Sequence, residues 1–171
     1  MTDKPAIEGG KPIRDKFLPY GTQWIDEKEI REVIDSLKSN WITTGPKMRL
    51  FEENFKKFKG TKYAIAVNSG TAALHVSTSS INIRSGDEVI TTPLTFVASA
   101  NCVVYRGGTP IFVDIKKDTY NINPNEIRKK ITSNTKAIIP VHFAGQPCDL
   151  DEIIEIAEEN NLFIIEDAAH A

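Results

Sequence analysis

The stretch EVITTPLTFVASANCVVYRGGTPIFVDI, residues 88–115, contains the unit on which the fold depends. Its two ends, EVIT (88–91) and PIFVDI (110–115), are short apolar runs typical of buried strands. Between them, FVASANCVVYR (96–106) predicts a helix that a pair of glycines ends. A strand, a helix and a second strand in this order are typical of a βαβ unit, whose strands are parallel.

The same alternation continues on both sides of this stretch. Further strands are predicted at YAIAV (63–67), KAIIPVH (136–142) and LFIIE (162–166). Further helices are predicted at AALHVSTSSI (72–81), NPNEIRKKIT (123–132) and DLDEIIEIAEEN (149–160). Strands that are apolar on both faces and alternate with helices predict an α/β fold, with a mostly parallel sheet covered by helices.

Several helix starts carry capping signals. Asp26 with Glu29, and Asp149 with Glu152, have the spacing of a capping box. Asn123 stands directly before a proline, a pattern typical of an N-cap followed by the first helical position.

The part of the chain before these strands divides into an arm and two helices. Residues 1–25 contain much Pro and Gly and little periodicity, so we predict an irregular N-terminal arm. An amphipathic helix follows Asp26, and a second helix is predicted between Pro46 and Gly60. We assign residues 26–171 to one domain.

Composition excludes several classes of partner. The 171 residues include 21 Lys and Arg against 23 Asp and Glu, so we expect neither a nucleic acid nor an anionic membrane as partner. No apolar run is long enough to span a membrane, and the N-terminus lacks the apolar region of a signal peptide. With two cysteines that lack CxxC spacing, these features predict a cytoplasmic protein.

Ligands of parallel sheets bind beyond the carboxyl ends of the strands, so the residues that follow each strand are the candidates for a site. After the strand at 63–67, Gly70, Thr71 and Ala72 open a helix whose free N–H groups can hold a phosphate. The segment matches neither GxGxxG nor the P-loop, which disfavours dinucleotide and nucleoside triphosphate sites. A tight turn without a ligand is the alternative.

Other strand ends add an aromatic residue, an acid and two histidines. Phe96 could lie flat on a planar ring or belong to the core. His142 is either a structural hydrogen-bonding residue or a catalyst. Asp167 and His170 are three apart, so one helical turn would direct both toward one ligand. A zinc site formed by His142, Cys148, Asp167 and His170 would need unusual spacing and is disfavoured.

Six stretches of the sequence, in order, resemble the DegT/DnrJ/EryC1/StrS family of sugar aminotransferases. They are WITTGP (41–46), YAIAVNSGTAALH (63–75), GDEVITTPLTFVASAN (86–101), GGTPIFVDI (107–115), TKAIIPVHFAG (135–145) and IIEDAAHA (164–171). The resemblance implies the large domain of a pyridoxal 5′-phosphate (PLP)-dependent transferase of the aspartate-aminotransferase type.

The resemblance also implies roles for the residues noted above. Gly70, Thr71 and Ala72 would hold the PLP phosphate, and Phe96 would stack on the pyridine ring. Asp167 would pair with the pyridine nitrogen, which keeps that nitrogen protonated.

Two further positions follow from the same family pattern. His170 would lie near the ring hydroxyl, where family members carry Gln or His. Thr43 and Thr44 of WITTGP would lie near the sugar and are weaker candidates for substrate binding.

The family's Schiff-base lysine follows the strand after EDAAHA, and the small domain comes later still. We therefore expect this chain to be the N-terminal part of a longer enzyme, inactive by itself. The longer enzyme would transaminate a nucleotide-linked 4-keto-6-deoxy sugar for surface-glycan or polysaccharide synthesis, with glutamate as donor, and would be a homodimer. Within the family, the sequence most resembles the enzymes that aminate C4 of a UDP-linked 4-keto-6-deoxy-N-acetylhexosamine.

Three alternatives stay open at this point. A dehydratase of the same family carries His in place of the Schiff-base lysine. A regulatory or otherwise non-catalytic α/β module would keep the fold without the reaction. A nicotinamide-binding protein is disfavoured because the glycine pattern is missing.

Overall fold

A computed structural model describes residues 4–19 and 21–171. The chain divides into two compact units, one up to Ala66 and one from Val67 onward. The extent of the predicted domain, 26–171, stays a prediction.

The first unit contains two helices, α1 (Glu27–Lys38) and α2 (Pro46–Lys59), and a short 3₁₀ turn at Ala6–Glu8. The predicted capping box at the start of α1 is confirmed: the Asp26 carboxylate accepts a backbone N–H of the first turn, and its own N–H donates to Glu29. Gly60 ends α2 with a positive φ of 67°, as expected of a C-terminal glycine.

The second unit is a four-stranded parallel sheet with helices on both faces, which confirms the predicted fold class. Its elements in chain order are α3 (Gly70–Ser80), β1 (Glu88–Thr91), α4 (Ala98–Val104), β2 (Thr109–Phe112), α5 (Pro124–Lys130), β3 (Thr135–Ile139), α6 (Leu150–Asn160) and β4 (Phe163–Ile164). The strand order is β2-β1-β3-β4. No described helix has the length and apolar character needed to cross a membrane.

Alternate residues of the central strands enter two separate cores. Val89 of β1 packs in one cluster with side chains of α3 and α4, whereas Ile90 packs in the other with side chains of α5 and α6. Ala137 and Ile138 of β3 divide in the same way. Because successive side chains of a strand point to opposite faces, a sheet covered on both sides needs apolar residues at every position.

The strand order reverses between β1 and β3. From β1 the chain crosses over to β2 on one side, and from β3 it crosses to β4 on the other. The crevice beyond the carboxyl ends of β1 and β3 is therefore the topological switch point, where ligands of such sheets bind.

Some predicted elements were wrong or too long. Residues 63–67 form no strand: among the described residues they have no strand partner, and the Ala66 N–H donates instead to the Glu52 carboxylate. The strand predicted at 110–115 ends at Phe112, after which Ile115 forms an antiparallel bridge with Ile122.

The strand predicted at 88–91 is confirmed over those residues, and the helix predicted at 72–81 runs from Gly70 to Ser80. Three other predicted elements differ mainly by being shorter. The strand predicted at 136–142 runs from Thr135 to Ile139, because Pro140 offers no N–H to a strand partner. The strand predicted at 162–166 is reduced to Phe163–Ile164. The helix predicted at 96–106 spans Ala98–Val104.

The predicted capping box of α6 was also wrong. Asp149 is the N-cap residue, but its side chain accepts no helix N–H. It accepts a hydrogen bond from the Lys116 ammonium at 2.9 Å instead, and the same hydrogen bond raises the pKa of Lys116. The N-cap Asn123 of α5 is confirmed, since its side chain accepts the Asn125 N–H.

Candidate active site

Asp167 lies at the switch point and is buried, with 7% of its surface exposed. Although β4 ends earlier, the backbone at Asp167 resumes parallel pairing with the extension of β3. Its N–H donates to the Pro140 carbonyl, and its own carbonyl accepts the His142 N–H. The acid is thus held by the sheet itself at the edge where ligands of this fold bind.

The Asp167 carboxylate receives a hydrogen bond on each oxygen. The Ser99 hydroxyl donates to Oδ2 at 2.7 Å, and the Ala169 N–H donates to Oδ1 at 3.2 Å. Ser99 is fully buried, and its Oγ lies 2.8 Å from Oγ1 of Thr95. Sequence reasoning missed Ser99, because a serine within an apolar helix carries no local signal of a partner 68 residues away.

The N-terminus of α3 offers two free backbone donors. Ser69 is the N-cap, and its hydroxyl accepts the Ala72 N–H at 3.1 Å. In the described part of the chain, the N–H groups of Gly70 and Thr71 have no partner, as is usual in a first helical turn. Two of the three predicted phosphate donors are therefore available, and the third is used by the cap.

The start of α3 lies next to the segment that carries the buried acid. A Cβ added to Gly70 would lie 3.9 Å from the Ala169 Cβ. The predicted phosphate cradle and Asp167, distant in the sequence, are therefore brought to one place.

Phe96 lies two residues before the start of α4, and 71% of its surface is exposed. The interpretation of Phe96 as a core residue was therefore wrong. Its backbone carbonyl accepts the Ser99 N–H at 3.2 Å, which connects it to the residue that binds Asp167. An exposed aromatic ring on this edge leaves a face open to a planar ligand.

His170 is held by the loop that follows β3. Its Nδ1 accepts the Ala144 N–H at 3.3 Å, and its ring meets Phe143 edge-on at a centroid distance of 6.3 Å. The His170 carbonyl would lie 3.0 Å from a Cβ added to Gly145, a residue whose φ of 85° itself favours glycine. The loop and the C-terminal segment therefore contact each other closely.

His142 is a structural residue. It is buried, and its Nδ1 accepts the Cys148 N–H at 3.1 Å while its Nε2 lies 2.9 Å from a Glu166 carboxylate oxygen. Since Nδ1 is an acceptor, the proton is on Nε2 and is donated to Glu166. This contact engages Glu166 and leaves Asp167 as the buried acid of the site.

The two cysteines contribute no reactive group. Cys102 and Cys148 are free and buried, and burial raises the pKa of each thiol to about 11. Both are therefore neutral at physiological pH, and the Cys148 thiol donates to the Val141 carbonyl.

Thr43 and Thr44 lie in the turn between α1 and α2, in the first unit, and both are exposed. The turn needs its glycine, because a Cβ on Gly45 would lie 2.9 Å from the Trp41 Cβ. A role for the two threonines in substrate binding stays a prediction.

The residues present at the switch point suit PLP. The free N–H groups of Gly70 and Thr71 are donors of the kind that bind phosphate, and Asp167 is a buried acid of the kind that pairs with a protonated ring nitrogen. The exposed Phe96 ring supplies a surface for the ring itself.

The family model that describes the DegT/DnrJ/EryC1/StrS aminotransferases matches residues 23–171. The chain belongs to this family. The resemblance of the six sequence stretches is thereby confirmed.

Proteins with related sequences and structures agree with this membership. The chain is 49% identical over 158 residues to the spore coat polysaccharide biosynthesis protein SpsC of Bacillus subtilis. The matched residues are 92% of this chain and 41% of SpsC. The aminotransferase of Psychrobacter cryohalolentis has a TM-score of 0.83 and 43% identity, over 91% of this chain and 40% of its own. The chain thus spans about 40% of the length of these relatives.

A third relative carries a cofactor. NtdA of Bacillus subtilis, solved with bound cofactor PMP, has a TM-score of 0.79 and 36% identity, over 84% of this chain and 34% of its own. PMP is the amino form of PLP, and the family is PLP-dependent.

Proposed function

We propose that the full-length protein is a PLP-dependent aminotransferase that acts on a nucleotide-linked 4-keto-6-deoxy sugar, with glutamate as amino donor. The observation that supports it best is the buried Asp167 carboxylate beside the free N–H groups at the start of α3. This pairing of an acid with an anion cradle suits a ligand that carries a protonated ring nitrogen and a phosphate.

Each residue of the site has a role in this proposal. The backbone N–H groups of Gly70 and Thr71 would hold the phosphate, while the Ala72 N–H stays bound to the Ser69 hydroxyl. The Phe96 ring would stack on the pyridine. The Asp167 carboxylate would accept a hydrogen bond from the protonated pyridine nitrogen and keep that nitrogen protonated. When bound, PLP supplies an electron sink, so a proton on the carbon attached to the amino nitrogen becomes easier to remove.

Two further contacts belong to the same proposal. His170, held by the Ala144 N–H, would lie near the ring hydroxyl and orient the cofactor. Thr43 and Thr44 would contact the sugar.

The substrate class is supported by the relatives. SpsC is named for the synthesis of spore coat polysaccharide, and a polysaccharide pathway consumes nucleotide-linked sugars. We extend to this protein a role in polysaccharide or surface-glycan synthesis, in the cytoplasm and as a homodimer.

The test is a product assay with the full-length protein. It is incubated with PLP, glutamate and a UDP-linked 4-keto-6-deoxy-N-acetylhexosamine, and the products are identified by mass spectrometry. We expect an amino sugar and an equal amount of 2-oxoglutarate. A deoxygenated sugar without new nitrogen would instead assign the protein to the dehydratases. A protein that binds PLP without converting any keto sugar would be a non-catalytic member, and failure to bind PLP would contradict the proposal altogether.

A further inference from the structure

We propose that Ser99 is a positioning residue for the cofactor, acting through Asp167, an inference that rests on the proposed function. The observation is the 2.7 Å hydrogen bond between the Ser99 hydroxyl and Asp167 Oδ2, buried at the switch point of the sheet.

The direction of the hydrogen bonds follows from the charge on the acid. A carboxylate only accepts, and Asp167 Oδ2 at 2.7 Å is a nearer and stronger acceptor for the single Ser99 hydroxyl proton than the Phe96 carbonyl oxygen at 3.2 Å. The Thr95 hydroxyl, 2.8 Å from Ser99, is then the donor to Ser99. Two hydroxyl groups that follow β1 thus point their protons, in series, toward one carboxylate.

Ser99 contributes the contact that joins the acid to another element. The second donor to the carboxylate is the N–H of Ala169, two residues along the same segment. The sheet holds the Asp167 backbone, but a carboxylate held only by the Ala169 N–H could still turn about its side-chain bonds, whereas the bond to Ser99 of α4 fixes its plane. Ser99 is therefore the donor that determines where Asp167 presents its remaining lone pairs.

The remaining lone pairs are what a ring nitrogen would use. A carboxylate has about four acceptor positions, and the two hydrogen bonds occupy two of them. A charge-assisted hydrogen bond to a ring N–H needs a donor–acceptor separation of about 2.7–2.9 Å. A rotated carboxylate would therefore lose most of the strength of that hydrogen bond. Ser99 should thus affect how strongly the site recognises the pyridine nitrogen, without contacting the cofactor.

The test compares two cofactors that differ at that nitrogen. Titration calorimetry measures the binding of PLP and of 1-deaza-PLP, in which a C–H replaces the ring nitrogen, to the full-length protein. We expect the wild type to prefer PLP, and Ser99→Ala to reduce the preference about tenfold, the size of one hydrogen bond to a charged group. Ser99→Thr, which keeps the hydroxyl, should show the wild-type preference for PLP.

The matched control removes another buried hydroxyl close by. Thr78 is fully buried, and its hydroxyl lies within hydrogen-bond distance of the Leu74 and His75 carbonyls of α3 and the Cys102 carbonyl of α4, none of which is a carboxylate. Thr78→Val should lower the melting temperature but leave the preference for PLP unchanged. If Ser99→Ala does not fold, Ser99→Cys, whose thiol is a weak donor, should show the same loss.

The outcomes separate this inference from the proposed function. If Ser99→Ala weakens both cofactors equally, or leaves the preference at the wild-type value, Ser99 is structural and the inference is overturned. If the wild type itself does not prefer PLP over 1-deaza-PLP, the assignment of Asp167 fails as well.

Discussion

His142 and Glu166 are joined by a hydrogen bond of 2.9 Å between the imidazole Nε2 and a carboxylate oxygen. Glu166 precedes the buried Asp167, but its side chain is half exposed and turns to the histidine instead of the crevice. Two adjacent acids at the end of one strand therefore have different environments, and this difference separates their expected functions.

The first prediction compares these two acids in the full-length protein. Asp167→Asn keeps the shape but loses the charge that would hold the pyridine nitrogen protonated, at a cost of about 1.5–3 kcal/mol. The single-turnover rate of transamination should then fall by roughly 10- to 150-fold, with PLP still bound. Glu166→Gln, the control, should be nearly silent. A damaging Glu166→Gln with a silent Asp167→Asn would show that the wrong acid was assigned.

The second prediction concerns the stability that His142 provides. His142→Phe fills the volume but leaves the buried Cys148 N–H without an acceptor, so we expect a loss of about 1–3 kcal/mol in the free energy of unfolding. His142→Asn, whose side-chain oxygen can replace Nδ1 as acceptor, should lose less. Denaturant unfolding measures both.

The control for this pair is His75, an exposed histidine that meets Tyr105 edge-on. His75→Phe should change the free energy of unfolding by no more than about 0.5 kcal/mol. Equal stability of His142→Phe and the wild type would show that the imidazole is not needed to hold the loop.

The third prediction separates two glycines by the space around them. An added Cβ meets only ordinary contact at Gly70, but at Gly108 it would lie 2.7 Å from the buried Ile83 side chain. Gly108→Ala should therefore lower the free energy of unfolding by about 1–3 kcal/mol, whereas Gly70→Ala should leave it near the wild-type value.

The same pair tests the phosphate cradle. A methyl group on Gly70 would narrow the approach to the N–H groups of the first turn, so Gly70→Ala should weaken PLP binding by roughly tenfold, as the loss of one hydrogen bond would. Calorimetry with PLP checks this in the full-length protein. Unchanged PLP affinity in a normally stable Gly70→Ala protein would place the phosphate elsewhere.

The fourth prediction concerns alkaline pH. Burial raises the pKa of the Cys102 and Cys148 thiols from 9.0 to about 11, so the folded protein holds their protons more tightly than the unfolded chain. Their contribution to stability is complete below pH 9 and is lost as the pH rises toward 11. Denaturant unfolding across this range should show the decline, and a Cys102→Ala/Cys148→Ala double variant should show less of it.

The thiols can also be tested directly. At neutral pH neither should react with a thiol-specific reagent until the protein unfolds, because both are buried and neutral. Rapid labelling of the folded protein at either position would contradict the burial described above.

The sequence by itself determined the layered α/β fold and predicted candidate site residues at one edge of its sheet. Apolar runs that alternate with helices predict a parallel sheet, because a strand covered on both faces must be apolar throughout. In the same way, Asp26 and Asn123 were readable as caps, and Asp167 as an acid at the end of a strand. Each of these features is encoded by neighbours within a few residues.

Only the tertiary structure decided which side chains meet. Ser99 reaches Asp167 across 68 residues, and Lys116 draws the Asp149 side chain away from the cap that its spacing predicted. Residues 63–67 look like a strand but have no strand partner in the described chain. The physical reason is common to all three: a hydrogen bond between distant residues depends on strand order and crossovers, which no local pattern encodes.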